Sequence, residues 1–192
     1  MEIIARSSWT RAIVLILILT AVGYAIMHTL AGNREAVEIG KKAPNFTLTN
    51  LQGKTVQLSD YLGTGVLLNF WASWCDPCVN EMPLLNETYQ RLPGVEILAV
   101  NMGEAKEKAS QFADRYHLKF PILLDQQSDV KKRYKIGGLP ATFLIDDKGH
   151  IVEKISGELD SSDYLMNVME RIQPKHGREK QDMTGELSEW IL

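Results

Sequence analysis

The stretch Val66-Leu67-Leu68-Asn69-Phe70-Trp71 is apolar at every position except Asn69, follows Gly65, and runs almost directly into Cys75-Asp76-Pro77-Cys78. An unbroken apolar run of this length, without the alternation of a half-exposed strand, predicts a β-strand buried on both faces. A strand of that kind has to lie between layers of helix, which confines the chain to a layered α/β fold. Pro77 stands where proline is tolerated, in the first turn of a helix expected to reach about Arg91 with a kink at Pro83. The two cysteines therefore sit at a strand-to-helix junction.

Around this junction the pattern alternates. Phe46 and Leu48, a turn at Asn50-Leu51-Gln52-Gly53, then Val56 and Leu58 predict a strand pair. Strand, helix and strand are expected over 95–101, 104–117 and 120–124, the helix carrying Ala105, Ala109, Phe112, Ala113 and Tyr116 at helical spacing. A short helix over 129–134 leads to Gly137-Gly138-Leu139-Pro140. Strands over 141–145 and 150–155 then flank an Asp-Asp-Lys-Gly turn, and a last amphipathic helix uses Tyr164, Leu165, Val168, Met169 and Ile172. Hairpins at both ends with β-α-β crossovers between them imply a mixed central sheet flanked by helices.

Residues 12–31 form a run of about 20 residues with His28 as the only strongly polar member, long enough to span a bilayer core. Arg6 and Arg11 precede it and favour a cytoplasmic start, although Lys41 and Lys42 on the far side weaken that preference. The expected organisation is a cytoplasmic N-terminus (1–11), one transmembrane anchor (12–31), a linker (32–42), a folded domain (43–174) and a tail (175–192). This puts the domain on the outer face of a single-pass membrane protein. A cleaved signal peptide is the alternative, with Thr29-Leu30-Ala31 a loose cleavage site. Such tails are usually disordered, with docking through Leu187, Trp190, Ile191 and Leu192 the other option. The formal charge of −3 argues against a nucleic-acid binder that relies on a basic field.

With 2 cysteines the chain is no disulfide-stapled scaffold. A helix start gives the tight backbone a Cys-x-x-Cys disulfide needs and aims amide N–H groups and the positive dipole end at the first sulfur. That lowers the thiol pKa and favours the attacking thiolate. On this reading Cys75 is the exposed nucleophile and Cys78 its buried partner. A purely structural disulfide would add only local rigidity. A zinc site would need two more ligands, and His28, His117, His150 and His176 show no paired ligand spacing. Two unrelated buried thiols are the third alternative.

Asn69-Phe70-Trp71-Ala72-Ser73-Trp74-Cys75-Asp76-Pro77-Cys78 resembles the active-site segment of thioredoxin-like proteins, and Gly138-Leu139-Pro140-Ala141-Thr142-Phe143 resembles their cis-proline loop. The stretch from Ala43 to Pro174 further resembles the TlpA/ResA branch and its ResA-like thiol-disulfide oxidoreductases. Pro44-Asn45-Phe46, Leu58-Ser59-Asp60, Cys78-Val79-Asn80-Glu81-Met82-Pro83, Val100-Asn101-Met102-Gly103-Glu104 and Phe120-Pro121-Ile122-Leu123-Leu124-Asp125 carry that likeness. The resemblance implies a thioredoxin-like fold with an N-terminal β-hairpin and an inserted αβ unit. It implies a protein disulfide reductase acting outside the cytoplasm on the oxidised Cys-x-x-Cys-His haem site of apocytochrome c, re-reduced by a CcdA-type membrane thiol donor, with no cofactor and no metal.

The resemblance also implies roles for single residues. Thioredoxin has a buried aspartate in the strand where this chain has Asn69, and Glu81, three residues after Cys78 on the same helix, is the natural replacement proton acceptor. An ordinary solvated glutamate is the alternative. Pro140 would be cis and leave the Leu139 backbone free for an extended substrate. Trp74, Asp76 and Pro77 would complete the substrate surface, Trp74 as a platform or as rim packing. Glu158 stands where ResA-like proteins carry a neutral residue. Peroxiredoxins share some of these segments, yet the positions their peroxide pocket needs are Leu68 and Ala72 here, which disfavours a peroxidase. A general or sporulation-related exchange protein, and a non-catalytic apocytochrome- or haem-binding module, are the other functions this pattern allows.

Overall fold

A computed structural model of the chain describes residues 3–31, 37–89 and 91–174, with side chains placed over 9–24 within the first of these segments. The tail 175–192 and linker residues 32–36 lie outside the described residues. The chain divides into two units, Met1–Glu35 and Ala36–Leu192.

The first unit contains one helix, α1 (Ile3–Ala31). The transmembrane anchor expected over 12–31 is corrected here: among the described residues no helix is long and apolar enough to cross a membrane.

The second unit holds a seven-stranded mixed sheet of order β2-β1-β5-β4-β3-β6-β7. Its strands are β1 (Thr47–Asn50), β2 (Thr55–Gln57), β3 (Gly65–Trp71), β4 (Val95–Met102), β5 (Ile122–Asp125), β6 (Ala141–Ile145) and β7 (Ile151–Ser156). Parallel pairs β3–β4 and β4–β5 form the centre, and the antiparallel pairs β3–β6, β6–β7, β1–β2 and β1–β5 close both sides. The N-terminal hairpin thus docks beside β5. The helices among the described residues are α2 (Asp76–Thr88), α3 (Lys106–Arg115), α4 (Asp129–Arg133) and α5 (Ser162–Ile172), with a 3-10 turn over Leu58–Tyr61. Backbone pairing begins ahead of Ala43, because the Gly40 N–H donates to the Ile151 carbonyl at 2.7 Å and Lys42 bridges to His150.

Every residue of β3 is buried, as its composition predicts. Successive side chains alternate between two cores. Leu67 and Trp71 join Cys78, Met82, Leu85, Phe112, Leu165, Val168 and Met169 under α2, α3 and α5. Val66, Leu68 and Phe70 join Phe46, Leu58, Val130, Tyr134 and Phe143 on the opposite face. Asn69 shares the parity of Leu67 and Trp71, so its amide points at the α2 layer.

At its start β3 lies so close to α5 that a Cβ on Gly65 would stand 2.2 Å from the Ile172 carbonyl oxygen. Backbone cannot yield as a flexible side chain would. Gly65→Ala is accordingly expected to cost about 2–3 kcal/mol in urea unfolding, whereas Gly137→Ala, with nothing within 4 Å of its Cβ, should stay within about 0.5 kcal/mol of the parent.

Candidate active site at the end of the central strand

Beyond Trp71 the chain leaves the sheet, and Cys75 caps α2 in an extended conformation, φ −98 and ψ 101. Its Sγ accepts the Cys78 N–H at 3.3 Å and is bonded to the Cys78 Sγ at 2.09 Å. The sulfur thus occupies the anion-favouring end of the helix, with Pro77 in the first turn where its missing N–H costs nothing. The cysteines differ in access: Cys75 keeps 7% of its surface and Cys78 none. An approaching sulfur can reach the first of them only.

The other sequence-predicted residues gather at the same end of the sheet. Phe70 pairs with Ala141 across β3 and β6, which sets Pro140 beside Trp71 where the cysteine loop departs. Pro140 is buried, its bond to Leu139 is cis, and its carbonyl accepts the Gly157 N–H at 3.0 Å. Leu139 is half-buried and packs against both cores. Asp76 and Pro77 are exposed, and Trp74 presents 64% of its surface as a broad apolar face next to the accessible sulfur. A cavity of about 370 Å³ adjoins the loop, lined by Ser73, Asp76 and Val79 on one side and by α3 residues including Lys108 and Arg115 on the other. Among the described residues no three His, Cys, Asp or Glu side chains converge as metal ligands would.

Glu81 lies behind the cysteines, one turn further along α2, and is 1% exposed. Its Oε1 accepts Asn69 Nδ2–H at 2.7 Å and its Oε2 accepts the Leu159 N–H at 2.9 Å. Burial disfavours the charged form and the nearby Glu158 adds repulsion. The two donors oppose this only in part, so the pKa rises from 4.5 to about 7. The carboxyl is no solvated surface group, and near neutral pH it can both take and release a proton.

A second buried carboxylate, Glu104, lies on the other side of the loop and went unrecognised in the sequence as a site residue. Gly103, at φ +67, turns the chain sharply after β4 and returns Glu104 to the cysteine loop. There its Oε2 accepts the Ser73 N–H at 2.8 Å and Asn101 Nδ2–H at 2.8 Å, while its Oε1 accepts Ser73 Oγ–H at 2.6 Å and pairs with Lys108 Nζ at 2.8 Å. Burial alone would raise its pKa, but Lys108, Ser73 and Asn101 overcome that and bring it to about 2. Glu104 is thus a permanent anion tying the residues ahead of Cys75 to β4 and α3. Glu81, on the opposite side, is held near its ionisation point.

The AhpC/TSA family model matches residues 39–154. The chain is 45% identical over 166 residues to the thiol-disulfide oxidoreductase ResA of Geobacillus kaustophilus, covering 85% of this chain and 95% of that protein. It is 38% identical over 165 residues to ResA of Bacillus subtilis, covering 83% and 92%. Among solved structures, a thiol:disulfide interchange protein DsbE from Chlorobium tepidum superposes with a TM-score of 0.67 at 30% identity, covering 71% of this chain and 99% of that one.

The two carboxylates predict opposite responses of stability to pH. Glu81 has its folded-state pKa raised, so the folded form binds the extra proton between pH 4.5 and about 7 and stability falls as pH rises through that window. Glu81→Gln removes the penalty, and at pH 8 the variant is expected to unfold with about 2–3 kcal/mol more difficulty relative to the parent than it does at pH 4. For Glu104 the folded-state pKa is depressed, so its contribution is complete above pH 4.5 and is lost as pH falls toward 2. Glu104→Gln should destabilise the domain at neutral pH by roughly 1–3 kcal/mol and converge with the parent in strong acid. Urea titrations across pH measure both.

Proposed function

The chain belongs to the ResA family of thiol-disulfide oxidoreductases, within the wider AhpC/TSA family, and from that premise we propose that it reduces the disulfide of the Cys-x-x-Cys-His haem site of apocytochrome c outside the cytoplasm. The observation that carries the reading is the asymmetry of the cysteine pair. One sulfur is accessible at a helix N-terminus, and the other is buried one turn from a carboxyl of near-neutral pKa.

In the reduced protein the Cys75 thiolate, stabilised by the Cys78 N–H and the helix dipole, attacks one sulfur of the substrate disulfide. A Cys75–substrate bond forms, the substrate disulfide breaks, and the second substrate sulfur leaves as a thiolate. Cys78 then passes its proton to Glu81, and its thiolate attacks Cys75 Sγ. The Cys75–Cys78 bond closes and the first substrate sulfur departs with its electron pair. Two electrons have passed from the dithiol of the protein to the disulfide of the substrate. Trp74, Asp76 and Pro77 face the incoming chain, and Leu139 offers it a backbone edge: among the described residues, no backbone hydrogen bond engages the Leu139 N–H or carbonyl. The electrons are restored by thiol exchange with a CcdA-type membrane donor, because no nicotinamide or flavin motif occurs in the chain.

Two measurements test this reading. Cys78→Ala should accumulate a mixed disulfide between Cys75 and apocytochrome c that dithiothreitol releases, whereas Cys75→Ser should capture nothing; a Cys78→Ala protein that traps other partners but never the apocytochrome excludes the assigned substrate. In stopped-flow resolution of a mixed disulfide with a Cys-x-x-Cys-His peptide, the rate should rise with pH through about 7 as Glu81 ionises. Glu81→Gln should abolish that rise and slow resolution about 100-fold.

A further inference from the structure

Glu81 must exist in two protonation states while remaining wedged between β3, β6 and the loop ahead of α5. A carboxylate accepts hydrogen bonds only, whereas a carboxylic acid also donates one. Fixed donors around a buried carboxyl therefore suit one state and oppose the other. The neighbours of Glu81 on the sheet escape that restriction. Asn69 is fully buried, and its Nδ2 donates both to Glu81 Oε1 at 2.7 Å and to Thr142 Oγ1 at 3.1 Å. Its Oδ1, equally buried, has no hydrogen-bond partner. All polar contacts of the amide are therefore made on one side, and no polar atom at its far end favours one orientation.

Thr142 completes the arrangement. It is fully buried on β6, opposite Asn69 in the strand pairing, and its hydroxyl is both donor and acceptor. With Glu81 ionised, the two N–H bonds of Asn69 point at a carboxylate and at the hydroxyl oxygen. With Glu81 protonated, the same two contacts can be made in reverse, Oδ1 accepting from the acid O–H and from the threonine O–H. The amide is nearly symmetric in shape, so a half turn about its last torsion exchanges the two ends without disturbing the packing.

We propose that the Asn69 amide turns end for end as Glu81 gains or loses its proton, with Thr142 changing from acceptor to donor, so that β3 and β6 hold the carboxyl in place in either state. Asn69 and Thr142 are then positioning residues, acting on the cysteines through Glu81. The proposal rests on the reading of Glu81 as the acceptor of the Cys78 proton, and it gives that acceptor a structure tolerant of both states. No charged group on β3 or β6 faces the carboxyl. α5 packs against this core with the apolar Leu165, Val168 and Met169, and the charged group acting on Glu81 from a neighbouring segment is Glu158, exposed just ahead of Leu159.

The oxidised full-length chain, labelled with 15N-asparagine and 13C-glutamate and free of substrate, tests this by NMR. Failure to trap an apocytochrome therefore has no bearing on the outcome. At pH 9 a through-hydrogen-bond coupling between Asn69 Nδ2 and Glu81 Cδ is expected, together with contacts from the amide protons to the Thr142 methyl group. At pH 5 both should vanish while the carboxyl remains buried. A coupling that persists at pH 5 overturns the proposal, since the amide would then donate in both states. Glu81→Gln should leave the Asn69 signals flat between these pH values; continued titration would assign the response to another group. Glu158→Gln should move the Glu81 and Asn69 transitions together to lower pH, and a fixed Asn69 midpoint would separate the two residues.

Discussion

A carboxylate buried with no cation beside it governs the rest of this site. Glu81 is held by the Asn69 amide and the Leu159 N–H, neutral donors that satisfy its oxygens without cancelling its charge. Neutral partners stabilise the anion less than a lysine or arginine would, and that deficit leaves the proton affinity near neutrality. Glu104 is the internal contrast. It is similarly inaccessible, yet with Lys108 added to its donors it remains ionised throughout the physiological range. Two glutamates flanking one cysteine loop are therefore held differently, one as a fixed anion and the other near its ionisation point.

The position of Glu81 follows from the sheet. Asn69 can reach it only because β3 alternates, turning Leu67, Asn69 and Trp71 toward α2 and Val66, Leu68 and Phe70 away from it. A slip of one residue in the β3–β6 pairing would turn Thr142 to the other face and leave Asn69 without its second partner. The same strand fixes where Cys75 begins α2. The placement of Cys75 relative to Glu81 is thus set by one register, supported at the far end by the close approach of Gly65 to Ile172.

Much of this was legible in the sequence. An apolar run buried on both faces is visible as such, and so is a Cys-Asp-Pro-Cys helix start, because both depend on local pattern. Asn69 stood out as the one polar residue inside that run, and Glu81 by its spacing from Cys78. Thr142 and Glu104 were not legible as site residues, since their roles come from contacts 73 and 31 positions along the chain. The pairing of β1 with β5 is equally non-local and could not follow from alternation within the hairpin. In α1, apolar composition over 12–31 implied a membrane span, whereas among the described residues no helix is long and apolar enough to cross a membrane.

The exposed and buried halves of the site impose different demands on sequence. Trp74, Asp76 and Pro77 face outward, and substitution there disturbs little of the core. Cys78, Asn69, Glu81 and Thr142 are enclosed, where each polar atom needs a partner and each unmet one costs about 1–3 kcal/mol. Asn69 already leaves its Oδ1 unmet. A leucine there would remove that unmet oxygen but would take the Asn69 donor away from both Glu81 Oε1 and Thr142 Oγ1. The amide at this position is thus tied to the buried carboxyl it serves, two donor contacts on one side standing against one unmet oxygen on the other.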